Sequence, residues 1–364
     1  MQPPRSTGVL RTVAFAWLGV LAGFAIGVEW IRSRPTPPQP SGGIDLVGAG
    51  ATFPYPLYRR WFADYGRRSG VRINYFSVGS TEGIRMLLAG EADFGAADRP
   101  LTAEEQARSF CGPLAIPMVA GAVAVAYRVP GLSAPLRLDA DVLARIFTGR
   151  ISRWDDAALV ALNPGVTLPS LPIRVVQRAR VTGTSALFAQ YLEQSAHWRA
   201  AGSARALTSA AAQVEGNEGI TAAIATQAGA IGVVEQTYAA QAGLAVAALR
   251  NASGAFVLPS ATSAAAAVAE LLSPTASDTA LGAIGASGAA AYPAVGVTRI
   301  IADAALGDAT KAAHFIAFAR WALDDGARMA GELGYAALPT AVANRQRQRL
   351  AALRPGTCPT PRSP

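Results

Sequence analysis

The chain has 364 residues, a formal net charge of +8 and 51% hydrophobic residues, which provides for a full globular core and excludes disorder over most of its length. The positive surplus is scattered arginine, with Lys311 the only lysine, and lacks the dense basic run with interleaved aromatics that a strand-binding groove needs, so no nucleic-acid partner is expected. Cys111 and Cys358 fall outside zinc-ligand spacings and are open to two readings, a bridge if the protein is exported or two separate thiols.

Arg5 and Arg11 precede an apolar run from Val13 to about Val28, the charge-then-apolar layout of an export signal. The run is near the lower limit for a spanning helix, and no clean small-x-small cleavage site follows it. Residues 1–34 are therefore expected to be a signal peptide or an uncleaved membrane anchor. Residues 35–43 are Pro-rich and read as an extended linker. The folded body is expected outside the cytoplasm, periplasmic or otherwise extracytoplasmic, free or tethered to the inner membrane.

From Ile44 onward short apolar strands alternate with amphipathic helices, which predicts an α/β fold. Ile44–Val47 reads as a strand. A helix follows over Pro54–Arg68, with Leu57, Tyr58, Trp61, Phe62 and Tyr65 on one face. Val71–Ser77 alternates like a strand, a second helix starts at Ser80, and Ala92–Ala96 is a short strand leading to Asp98. Ala115–Arg128 reads as one or two buried strands. Helices are predicted over 139–147, 154–162, Ser185–Gln194, Ile220–Gln227 and Ala309–Asp325, and strands over Ile173–Gln177, Ile231–Val234 and Val295–Ala302. The Ala-, Ser- and Gly-rich stretch 259–291 reads as helix plus loops, and 346–364 as a flexible basic tail.

Three strand-to-helix turns share one chemistry: Gly50-Ala51-Thr52-Phe53-Pro54, Val78-Gly79-Ser80-Thr81 and Val181-Thr182-Gly183-Thr184-Ser185. Each places hydroxyls and small residues at a helix start, where unpaired N–H groups and a partial positive charge favour an anion. Ordinary capping accounts for any one of them alone. Arg178, at the end of a predicted strand, offers a planar fork for an oxyanion. Asp98 makes sense beside an anion if that anion carries a proton, because an ionised carboxylate only accepts hydrogen bonds. Phosphate keeps a proton at neutral pH and sulfate does not.

Taken in order, Gly48-Ala49-Gly50-Ala51-Thr52-Phe53-Pro54, Gly79-Ser80, Asp93-Phe94-Gly95-Ala96-Ala97-Asp98-Arg99-Pro100, Ile151-Ser152-Arg153-Trp154-Asp155, Thr182-Gly183-Thr184-Ser185, Gly216-Asn217-Glu218-Gly219 and Tyr335-Ala336-Ala337-Leu338-Pro339 carry a likeness over nearly all of residues 45–345. The chain resembles the phosphate-binding proteins of bacterial phosphate ABC importers. The resemblance implies a two-lobe periplasmic-binding-protein fold of type II, each lobe a mixed sheet flanked by helices. Lobe 1 would combine 44–126 with 293–345, and lobe 2 would be 127–292. It implies inorganic phosphate as ligand, contacted by Thr52, Phe53 through its amide, Ser80, Asp98, Arg178, Thr182, Gly183 and Thr184. It also implies a membrane permease as partner, a monomer, and no cofactor.

Three positions depart from the family pattern: Arg180 stands where an Asp is usual, Thr182 where a Ser is usual, which keeps the hydroxyl, and Glu82 where a small residue is common. One arrangement that reconciles the two charge changes is a relocated ion pair between Glu82 and Arg180. A phosphate or other oxyanion sensor on the same fold is an alternative role. A phosphatase is disfavoured, since His197 and His314 lie far from the three turns and no nucleophile with its base is visible.

Overall fold

The computed structural model describes residues 45–353 apart from 110, 133, 181, 203–210, 273–281 and 304–306. The segments expected as signal or anchor (1–34) and linker (35–43), and the tail from 354 on, lie outside these residues. Among the described residues no helix is long and apolar enough to cross a membrane. Cys111 is disulfide-bonded, and the chain's other cysteine, Cys358, is outside the described residues.

The architecture is α/β, built on a mixed sheet of eleven strands. Its main path uses β1 (Asp45–Gly50), β2 (Arg72–Ser77), β3 (Phe94–Ala97), β4 (Pro113–Tyr127), β5 (Arg174–Arg178), β6 (Ala212–Val214), β7 (Ala230–Glu235) and β8 (Ala294–Asp303). The order is β2-β1-β3-β8-β4-β7-β5-β6. β1 runs parallel to β2 and β3, and β5 parallel to β6 and β7. β8 is antiparallel to both β3 and β4.

β4 joins the two halves. Its residues Pro113–Ala122 pair with β8, and Val123–Tyr127 pair with β7. The apolar stretch is thus one 15-residue strand, almost entirely buried. That continuous apolar character is what burial on both faces demands.

Helices cover the sheet. In α1 (Tyr55–Ser69) the buried residues are Leu57, Tyr58, Trp61, Phe62 and Tyr65, the face its periodicity predicts, and Gly70 closes it in the left-handed region at φ 74°. α2 (Ser80–Leu88), α3 (Gly183–Leu192) and α4 (Gly216–Thr226) begin just after the ends of β2, β5 and β6. α5 (Ala309–Leu323) brings Phe318 to Phe62 and Phe94, with ring centroids 5.4 and 6.4 Å apart. Burying each such ring contributes about 1.5–3 kcal/mol.

The flexible tail expected over 346–364 is corrected for its first part, 346–352; residues 354–364 lie outside the described residues. α6 runs from Thr340 to Ala352 and buries Val342, Ala343, Gln346 and Leu350. These positions form one helical face, which the Arg and Gln content of the segment obscures. Within 259–291, a helix over Ala261–Leu271 starts at a Ser260–Ser263 capping box, and Gly282–Ile284 adds a short strand to β8.

Candidate functional site

β1 ends at Gly50, whose carbonyl accepts the amides of Val78 and Gly79 at 3.1 and 2.8 Å. α2 rests directly on this point. A Cβ at Gly83 would lie 2.2 Å from Gly50 Cα, so only glycine permits the approach. The start of α2, with Ser80, is thereby drawn against the Ala51-Thr52-Phe53 turn.

Asp98 follows β3 and is 3% exposed. Its amide donates to Ser80 Oγ at 3.2 Å, and its Oδ1 accepts from Thr298 Oγ1 on β8 at 2.7 Å. Burial pushes its pKa up to about 7, opposed by the Thr298 hydrogen bond and the charges of Arg299 and Arg178. The third turn packs onto it: a Cβ at Gly183 would stand 2.4 Å from Asp98 Cβ. Gly183 opens α3 with Thr182 as its N-cap, the Thr182 hydroxyl accepting from the Ser185 amide at 3.3 Å. Thr184 is buried in the same first turn, where the backbone N–H groups have no intrahelical acceptor.

Arg178 ends β5. One guanidinium nitrogen donates to Asn217 Oδ1 at 2.6 Å, while its Nε is buried without a partner among the described residues. Burial lowers its pKa to about 10, and the negative groups around it, Glu218 foremost, hold it from falling further. It therefore keeps its charge at neutral pH. Asn217 on α4 also donates to Thr52 Oγ1 at 3.0 Å, so it ties β5 to the first turn. Tyr238 donates to the Thr52 carbonyl at 2.7 Å, and Tyr335 to the Phe53 carbonyl at 2.7 Å.

Of the residues named from sequence, Ser80, Asp98 and Gly183 meet directly, with Thr182 and Thr184 in the same turn as Gly183. Thr52 and Arg178 meet through Asn217, and Phe53 follows Thr52 in the chain. Sequence reasoning passed over Asn217, Tyr238 and Thr298 as site residues. Asn217 lies in the quoted Gly216-Asn217-Glu218-Gly219 motif, but the predicted helix began at Ile220 and left it in a loop. Thr298 is one hydroxyl in an apolar strand and carries no signal. The ion pair between Glu82 and Arg180 is corrected. Glu82 pairs with Arg85 at 2.8 Å, whereas Arg180, with its side chain 85% exposed, lies 4.0 Å from Glu215. A glutamate three residues before an arginine on one helix has a partner already at hand. Among the described residues no group of three or more His, Cys, Asp and Glu side chains is placed to hold a metal ion.

Residues 35–325 match the PBP superfamily domain. A phosphate-binding protein PstS from Xylella fastidiosa (strain 9a5c) is 37% identical over 320 residues, covering 86% of this chain and 87% of the relative. The PstS of Pasteurella multocida is 36% identical over 303 residues, covering 82% and 87%. Among solved structures, the phosphate binding protein from Stenotrophomonas maltophilia superposes with a TM-score of 0.64 at 19% identity, covering 84% of this chain and 94% of that one. An ABC-type phosphate transport receptor from Vibrio cholerae gives 0.53 at 16% identity, covering 81% and 100%. With the match to that domain and relatives above 30% identity along most of their length, the chain belongs to the PBP superfamily and, within it, to the PstS phosphate-binding proteins.

Proposed function

We propose that this protein binds inorganic phosphate where the three helix starts converge on Asp98 and Arg178, and delivers it to an ABC-type importer. The carrying observation is the direct packing of Gly183 on Asp98, which sets a helix N-terminus against a buried carboxylate. The hydroxyls of Thr52, Ser80, Thr182 and Thr184, the amides of Phe53 and Gly183, and Arg178 act as donors to the anion. Asp98 accepts the proton that phosphate retains. That donated hydrogen bond favours the ionised carboxylate and offsets the burial that pushes its pKa up to about 7. Sulfate has no proton to give and meets acceptor with acceptor, a mismatch worth roughly 10⁴-fold or more.

In this reading residues 44–126 with those from 293 onward form one lobe, 127–292 form the other, and α6 extends the first to at least residue 352. The protein works as a monomer outside the cytoplasm, and residues 1–34 direct or anchor it there. The disulfide at Cys111 fits an oxidising compartment. Its curated relatives carry the name of a binding protein, and the site has the makeup of a receptor, not of a catalyst. Calorimetric titration of the purified protein with phosphate, arsenate and sulfate tests this. Phosphate and arsenate should bind and sulfate should not; silence with phosphate would overturn the reading.

A further inference from the structure

We propose that Asn217 is a positioning residue that fixes the direction in which Thr52 and Arg178 donate, an inference that rests on the phosphate reading. Its side chain is fully buried and makes three hydrogen bonds. Oδ1 accepts from Arg178 at 2.6 Å and from the Glu235 amide at 3.0 Å. Both of those groups can only donate, so chemistry alone assigns that atom as oxygen and the other as the amide nitrogen.

The consequence falls on Thr52. Asn217 Nδ2 donates to Thr52 Oγ1 at 3.0 Å, so the Thr52 oxygen is engaged as an acceptor. Its own hydrogen must then point elsewhere, and Thr52 Oγ1 makes no second hydrogen bond among the described residues. It is left as a donor for the anion. The same amide takes one N–H from Arg178 and leaves the buried Nε unmatched. One side chain thus sets a hydroxyl from the first turn and a guanidinium from β5, and both are left to give hydrogen bonds. An ionised carboxylate at this position would do the reverse: it would take the Thr52 hydrogen for itself.

The test is a double-mutant cycle read by phosphate titration. Thr52→Val and Asn217→Asp should each weaken phosphate binding by about 10- to 100-fold, the cost of a hydrogen bond to a charged group. The double variant should fall short of the product of the two by about fivefold or more. Losses that simply multiply would overturn the proposal. Phosphate binding by the wild-type protein separates the two claims: if it is absent, the phosphate reading fails first. Should Asn217→Asp not fold, the wild-type protein still decides. The Asn217 side-chain amide protons should exchange slowly in NMR spectra of the phosphate complex, and exchange at the free-solvent rate would refute the role.

Discussion

Asp98 and Glu235 are both buried carboxylates, 3% and 0% exposed, yet they are built for different work. Glu235 is surrounded by groups of the fold itself: Oε2 accepts the Thr237 amide at 2.9 Å and lies 3.0 Å from the Tyr335 hydroxyl, and Oε1 lies 3.3 Å from the Thr237 hydroxyl. Asp98 receives one side-chain donor, Thr298, among the described residues. Gly183 at the start of α3 packs against its Cβ, and the charges of Arg299 and Arg178 act on it. Burial raises both pKa values, to about 8 for Glu235 and about 7 for Asp98. A carboxylate whose partners are all supplied by the fold fastens structure. One left partly unmatched beside cationic and N–H groups is open to a ligand.

The largest expected break in this contrast is Asp98→Asn. It should erode discrimination of phosphate over sulfate by as much as about 10⁴-fold, seen in competition titrations. Unchanged selectivity would place Asp98 with Glu235 as a fastener. Next comes Arg178→Ala, expected to cost about 2–5 kcal/mol of phosphate binding by calorimetry. A loss under about 0.5 kcal/mol would remove Arg178 from the site.

Glu235→Gln sharpens the other side. The raised folded pKa means the native protein holds a proton that the unfolded chain releases above its ordinary value of 4.5. This contribution to stability is complete at acid pH and is lost as pH rises toward about 8. Its slope is at most roughly 1.4 kcal/mol per pH unit. Denaturant titrations from pH 5 to 8 should show a flatter dependence for Glu235→Gln, with stability above the wild type at the alkaline end. The smallest effect belongs to Arg180→Ala. With its side chain 85% exposed and 4.0 Å from Glu215, its loss should move phosphate affinity by less than about 0.5 kcal/mol at physiological salt.

What the sequence makes legible follows the range of the interaction. The α1 face is local periodicity, and the structure buries the five residues it predicts. The helix starts at Ser80 and Gly183 are local turn chemistry, and they open α2 and α3. Two things hide. β4 is apolar on both faces, so no alternation distinguishes one long strand from two short ones. Asn217 and Thr298 act across 165 and 200 residues of chain, distances at which pattern reading has no purchase. The helix end at 346–352 was masked by its Arg and Gln content, although Leu350 is fully buried.

The contact between Gly183 and Asp98 sets a dimension. A carbon added at Gly183 would sit 2.4 Å from Asp98 Cβ, where ordinary contact begins near 3.4 Å. Any larger residue would act as a wedge of about one ångström, prising the start of α3 off the carboxylate. The spacing between α3 and Asp98 is held by an atom left out, and a single methyl group would be enough to change it.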